Sequence, residues 1–233
     1  MYKKTLTIIT CALLLLTSCT NRISNQNGAV SSTSRIASQV GIDILKKGGN
    51  AFDAIVATGF ALAVTSPANG NLGGGGFLTA RTANGELISL DFREKAPELS
   101  YETMFLDKDG NYVKDLALYS HISSGVPGTV NGLIKIFQDY GSGNFSLEEI
   151  ISPAINLAEY GFPLEENAAH GFDTNKKYFV QDEGSNLLFV KNINNQVSDL
   201  QERLNNGEID QTDYEKLLNN IDEWKTGDIF IQK

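Results

Sequence analysis

The spacing of apolar and polar positions divides the chain into a helical first part, a strand-like middle and a second helical part. From about Ser34 to Lys47, the apolar residues Ile36, Val40, Ile44 and Leu45 recur at helical spacing. Lys46 and Lys47 fall where the negative end of a helix dipole favours cations, and Gly48-Gly49 offers a left-handed exit. Asn50 can cap a second helix that carries Asp53 in its first turn. Residues 54–64 (AIVATGFALAV) are apolar on every side, which predicts a helix buried on most sides. Pro67 follows, and the run is too short to cross a bilayer.

The period then drops to two. FLTAR and ELISLDFR read as strands, and the Asn84-Gly85 step between them is a hairpin signal. This places Arg93 at the end of the second strand, before Lys95-Ala96-Pro97 breaks the pattern. A second turn is predicted at Asp107-Lys108-Asp109-Gly110 and a tight turn at Gly125-Val126-Pro127-Gly128. Thr129 can cap a helix running to about Tyr140, where Gly141 stops it. Ser146 and Glu149 form a capping box for another helical turn, and Pro153 opens a helix through Tyr160 that Gly161 ends. Residues 195–224 read as two polar amphipathic helices split at Asn205-Asn206-Gly207, a solvated acidic hairpin.

Two features raise a chemical question. The first is Asn71–Leu78, NLGGGGFL, with four consecutive glycines. A phosphate-binding loop runs strand, glycines, helix, whereas here the order is helix, glycines, strand, and no Lys-Ser or Lys-Thr follows. That leaves close backbone approach or positive φ. The second is Arg93 in D-F-R-E. It is either a surface cation paired with Asp91 or Glu94, or a fork that grips a carboxylate. Serine hydrolase chemistry has no support, because Ser123 and Ser124 lie in HISSGV and not in a G-x-S-x-G elbow. The adjacent carboxylates Glu165 and Glu166 read as a solvated pair.

The N-terminus changes the picture of where the chain works. Lys3 and Lys4 precede an apolar run from Leu6 to Leu16, the layout of a secretory signal. Leu16-Thr17-Ser18-Cys19 resembles the bacterial lipobox, which implies lipidation at Cys19. The alternative is an ordinary signal with a chance cysteine. On the lipobox reading, residues 1–18 are a lipoprotein signal peptide, 19–29 a lipid-anchored tether and 30–233 the body, exported and held on the cell envelope. Loss of the two leader lysines takes the charge to 17 − 28 = −11. That balance disfavours nucleic acid and anionic membrane surfaces as partners. Cys11 would leave with the signal, so no disulfide or cysteine metal site is expected. His121 and His170 stand far apart without ligand spacing, and no metal or cofactor is expected.

Five stretches taken in order carry more than any one of them: GGNAFDAIVATGFALAVTSP, NLGGGGFL, DFREKAP, SSGVPGTVNGL and ISPAINLAEYGFPL. Together they resemble the N-terminal, large-subunit part of the γ-glutamyltranspeptidases, or glutathione hydrolase proenzymes, over about residues 28–172. GDIFIQK near the C-terminus resembles a further point in the same subunit. The resemblance implies an α+β N-terminal-nucleophile hydrolase fold, a four-layer αββα sandwich of which this chain supplies the large-subunit portion. It implies a self-cleaving precursor, a threonine nucleophile whose own amine acts as base, and transfer of a γ-glutamyl group to water or an amino acid. Backbone N–H groups would stabilise the oxyanion. It also implies that Arg93 grips the α-carboxylate of the glutamyl moiety of glutathione or related compounds.

The family's small subunit opens with Thr-Thr-His, and no Thr-Thr pair occurs in these 233 residues. The nucleophile is therefore expected beyond the chain end, in a small-subunit partner. The chain alone is then expected to be inactive, with an exposed apolar face. The helical hairpin at about 195–224 is expected to be an insertion. Two rivals remain: a related acylase of the same fold, such as the cephalosporin acylases, and a catalytically inactive lipoprotein fragment.

Overall fold

The first two helices begin on side-chain caps that the sequence supplies. In the computed structural model, which describes residues 28–191, 194–219 and 223–232, Ser34 accepts the Ala37 N–H and opens α1 (Arg35–Lys46). Gly48, at φ 93°, then takes the left-handed position after the helix. Asn50 and Asp53 form a reciprocal capping box at the start of α2 (Ala51–Thr65). As its composition predicts, α2 is enclosed: nine of its fifteen residues are buried, from Asp53 to Thr65. It packs against α1, α4 (Thr129–Tyr140) and α5 (Leu147–Tyr160), and forms the middle of the core.

The polar cap of α2 also ties the core together. Asp53 is fully buried, and its carboxylate accepts the Asn50 N–H at 2.9 Å and the Ser142 N–H at 3.2 Å. The Asn50 side-chain amide donates to the Tyr140 carbonyl at 2.8 Å. The start of α2 is thus bolted to the end of α4, where the backbone would otherwise leave unpaired groups. The aromatic rings of Phe52 and Tyr140 stack over this junction.

Strands β1 (Phe77–Arg81) and β2 (Leu87–Asp91) pair antiparallel with Leu78 opposite Leu90 and Arg81 opposite Leu87. Gly85 supplies the positive φ of the turn, at 91°, as the Asn-Gly step predicts. Leu78 and Ile88 turn into the core, whereas Phe77 and Leu87 on the opposite face stay exposed. Such alternation is that of a sheet covered on one side. The next segment holds the Asp107–Gly110 turn, then α3 (Lys114–Tyr119) and a 3₁₀ turn at His121–Ser123.

Several boundaries differ from expectation. β2 ends at Asp91, so Arg93 lies two residues beyond it; the ladder is extended only by the reciprocal Gly76–Phe92 backbone pair. Gly128, not Thr129, is the N-cap of α4, and the Thr129 side chain makes no capping bond. The Gly128 and Thr129 N–H groups are already taken by the Gly74 carbonyl. Pro153 does not open a helix. It lies inside α5, which runs unbroken from the Ser146–Glu149 capping box to Gly161. Proline's fixed φ is helical, so what is lost there is one backbone donor and some steric ease, and burial of Ile150 and Ala154 on the helix's inner face offsets it.

The second helical part is anchored by aromatic rings. β3 (Phe162–Pro163) pairs antiparallel with β4 (Ile229–Phe230), with Phe162 opposite Phe230 and Pro163 opposite Ile229. Phe230 is buried against Phe162, and also against Phe172 of α6 (Glu166–Phe179), Phe189 of α7 (Glu183–Phe189) and Trp224. Helices α8 (Asn194–Asn205) and α9 (Gln211–Asn219) form the expected helical hairpin, with Gly207 at φ 71° in the turn. Its base is closed by Lys191, whose ammonium meets the Asp228 carboxylate at 2.6 Å and lies over the Trp224 ring.

Candidate functional site

The four glycines solve a packing problem around the D-F-R-E segment. None of Gly73 to Gly76 has a positive φ, so the left-handed role is excluded and close approach remains. A Cβ at Gly75 would stand 2.6 Å from the Phe92 carbonyl oxygen, 2.7 Å from the Arg93 Cα and 2.7 Å from the Glu94 nitrogen. All three are backbone atoms, which cannot rotate away. Gly128 presses on the same carbonyl from the other side, and the Phe92 ring fills the space in front of Gly132. The Gly74 carbonyl meanwhile accepts the Gly128 and Thr129 N–H groups at 2.8 and 3.0 Å. Two bare-backbone stretches, far apart in sequence, thus converge on Phe92–Glu94.

The segment carrying Arg93 is held from both ends. Before it, Phe92 pairs with Gly76 in both directions, and the Asp91 carboxylate accepts the Arg93 N–H at 3.0 Å. After it, Lys95 and Val126 exchange both backbone hydrogen bonds, at 3.1 and 2.8 Å. The backbone is therefore held on both sides of Arg93, and the side chain projects from it. Arg93 is exposed, its guanidinium carbon stands 5.9 Å from the Phe77 ring centroid, and it forms no ion pair with Asp91, Glu94 or any other described carboxylate. The surface-pair reading of Arg93 is thus not realised among the described residues.

Arg93 opens onto a concavity of about 580 Å³ whose wall includes Asp91, Phe92, Glu94, Lys95, Asn131 and Lys135. Lys135 is already engaged by Asp139 at 2.7 Å, one turn along α4. Asn131, Lys95 and Phe77 were not singled out by sequence reasoning. The β1–β2 register brings Phe77 beside Arg93 and α4 brings Asn131 to the same concavity, which no local pattern announces, whereas Lys95 follows Arg93 closely in the chain. The groups present can bind an anion and orient it. Among the described residues no nucleophile–base pair faces this concavity. Cys19 and the leader lie outside the described residues, as does most of the tether.

Comparison with known proteins gives the fold and the family. Among solved structures, the chain is similar to γ-glutamyltranspeptidase from Helicobacter pylori, at TM-score 0.73 and 37% identity over 88% of this chain and 51% of that one. It is also similar to the enzyme from Pseudomonas nitroreducens complexed with L-DON, at TM-score 0.65 and 32% identity over 90% and 52%. These define its fold as that of the N-terminal-nucleophile hydrolases, in an α+β and partial form. The sequence profile described as gamma-glutamyltranspeptidase matches residues 37–223, and the chain belongs to that family. A curated relative, the glutathione hydrolase proenzyme of Pseudomonas sp. (strain A14), is 44% identical over 186 residues, which is 79% of this chain and 32% of the relative. The chain thus spans about a third of that proenzyme and about half of the solved chains it resembles.

Proposed function

We propose that this chain is the large-subunit portion of a γ-glutamyltransferase and glutathione hydrolase, and that Arg93 binds the α-carboxylate of the γ-glutamyl group. The observation that carries this reading is the state of Arg93: a guanidinium without an ion pair among the described residues, on a backbone clamped at both ends, opening onto a concavity within a family of glutathione hydrolase proenzymes. A forked cation suits a bidentate carboxylate, and a backbone held on both sides spares the cost of ordering it on binding.

The chemistry itself needs groups from elsewhere. Transfer requires a nucleophile to attack the γ-amide, a base to take its proton and donors for the oxyanion. In this proposal a small subunit supplies them, with a threonine as nucleophile and its α-amine as base. The share of the relatives that the chain matches supports this. Arg93 then acts by holding the glutamyl end in register with that threonine, and water or an amino acid takes the acyl group.

On this reading Cys19 carries the lipid anchor and the enzyme works outside the cytoplasm, where the leader sequence would take it. The helical hairpin α8–α9 is an insertion standing on the closed Lys191–Asp228 base. Co-expression with a small subunit of the family, followed by assay on a γ-glutamyl anilide and a glutaryl amide, tests the reaction class. Turnover of the first alone supports the proposal, and turnover of the second alone would replace it with an acylase.

A further inference from the structure

Away from the Arg93 concavity, two tyrosines meet in an arrangement that no part of the proposed reaction uses. Tyr119 ends α3 and Tyr178 lies in the last turn of α6. Their rings stack at 4.9 Å between centroids with 18° between planes, and the Tyr119 hydroxyl donates to the Tyr178 hydroxyl at 3.3 Å. Among the described residues no other two tyrosine rings are in contact. Both are open to solvent, at 58% and 37% of their full exposure. Near-parallel rings with adjacent hydroxyls place the carbons ortho to oxygen on the two rings side by side.

We propose that Tyr119 and Tyr178 are an oxidative cross-linking site, joined carbon to carbon by hydrogen peroxide acting through a haem peroxidase or another one-electron oxidant. Each phenol gives up one electron and one proton. The two phenoxyl radicals couple through their ortho carbons, and the two ring hydrogens at the new bond move to the oxygens, restoring both phenols. The two electrons and two protons released reduce one peroxide to two waters. The two hydroxyls differ in their surroundings. The Tyr119 hydrogen bond, followed by the charge of Lys177, holds the Tyr178 hydroxyl below the usual tyrosine range, and the same bond pushes that of Tyr119 up. The Lys177 ammonium lies 4.9 Å from the Tyr178 ring centroid. The bond would join α3 to α6 across 59 residues and staple the excursion after β2 to the second helical part.

Treatment of the full chain with a haem peroxidase and limiting peroxide, followed by dityrosine fluorescence and peptide mass spectrometry, tests this. The expected product is an intramolecular link between the peptides containing Tyr119 and Tyr178. It should be absent in Tyr119→Phe and in Tyr178→Phe, and unchanged in Tyr160→Phe. Unfolding the chain in urea before oxidation should cut the yield of this pair at least several-fold. An unchanged dityrosine yield in Tyr178→Phe, links mainly between molecules, or the same pair formed equally in urea would each overturn the proposal.

Discussion

Gly75 lies against Arg93 so closely that a methyl group on Gly75 would stand 2.7 Å from the Arg93 Cα. The glycine run and the arginine are therefore parts of one device. The glycines allow three segments of backbone to meet, and the meeting fixes where the guanidinium starts from. This relationship makes the first prediction. Gly75→Ala should destabilise the fold by about 1–3 kcal/mol, the range for overpacking against atoms that cannot move. Gly73→Ala, which would meet only the Asn71 side chain at 3.5 Å, should cost much less. Urea midpoints of the two variants check the difference, and equal midpoints would remove the packing role of Gly75.

Asp53 provides the second prediction. Its buried carboxylate accepts backbone N–H groups from Asn50 and from Ser142, across the junction of α2 and α4. Asp53→Ala leaves those donors unpaired in the core and should cost at least about 1.5–3 kcal/mol, the value of a hydrogen bond to a charged group. Asp53→Asn should cost less, since its amide oxygen can still accept. Thermal unfolding of the two variants ranks them.

The third prediction concerns acid. Burial pushes the Asp228 carboxyl up, but the hydrogen bond and charge of Lys191, with the Lys225 N–H, outweigh it and hold the group below its ordinary value of 3.8. A carboxylate depressed in the folded state stabilises the fold above its unfolded value. That contribution is lost as pH falls below about 4 toward the folded value. Lys191→Met keeps apolar contact with Trp224 but removes the ammonium, so it should be less stable at neutral pH and show a flatter decline below pH 4. Denaturant titrations at a series of pH values read both effects, and parallel curves for the two proteins would contradict the assignment.

Much of the fold could be read from local signals, and the exceptions have physical causes. The caps at Ser34 and Asn50, the enclosed α2, the Asn-Gly hairpin, the Ser146–Glu149 box and the helical hairpin are each set by residues within a few positions of one another. Thr129 reads as a cap from its own side chain, whereas the start of α4 is set by the distant Gly74 carbonyl, which accepts both the Gly128 and the Thr129 N–H. Pro153 reads as a helix start, whereas burial of the neighbouring helix face carries α5 through it. Helices α6 and α7 carry little periodicity of their own and are ordered by the Phe172, Phe189 and Phe230 cluster, which is assembled from distant segments. At the site, D-F-R-E singles out Arg93 as a candidate, whereas Phe77 becomes its neighbour only through strand register.

The cation beside Phe77 makes a smaller prediction of the same account. The ring lies 5.9 Å from the Arg93 guanidinium carbon and is itself exposed, so it supports the side chain and does little for the core. Phe77→Ala should leave the urea midpoint within about 0.5 kcal/mol of the parent, as for most surface changes. It should make Arg93 more reactive toward an arginine-selective dicarbonyl, measured by mass spectrometry. A large loss of stability with unchanged labelling would assign Phe77 to packing.

The central claim is that Arg93 holds the α-carboxylate of a γ-glutamyl substrate. The most direct measurement is steady-state kinetics of the chain co-assembled with a small subunit of its family, comparing Arg93 with Arg93→Ala and Arg93→Lys on a γ-glutamyl anilide. Loss of a charge-assisted pair of about 1.5–3 kcal/mol corresponds to a rise in KM of roughly ten- to a hundred-fold for Arg93→Ala. Arg93→Lys should recover only part of it, because an ammonium lacks the fork. Unchanged KM and kcat in Arg93→Ala, in an assembly that is otherwise active, would contradict the account.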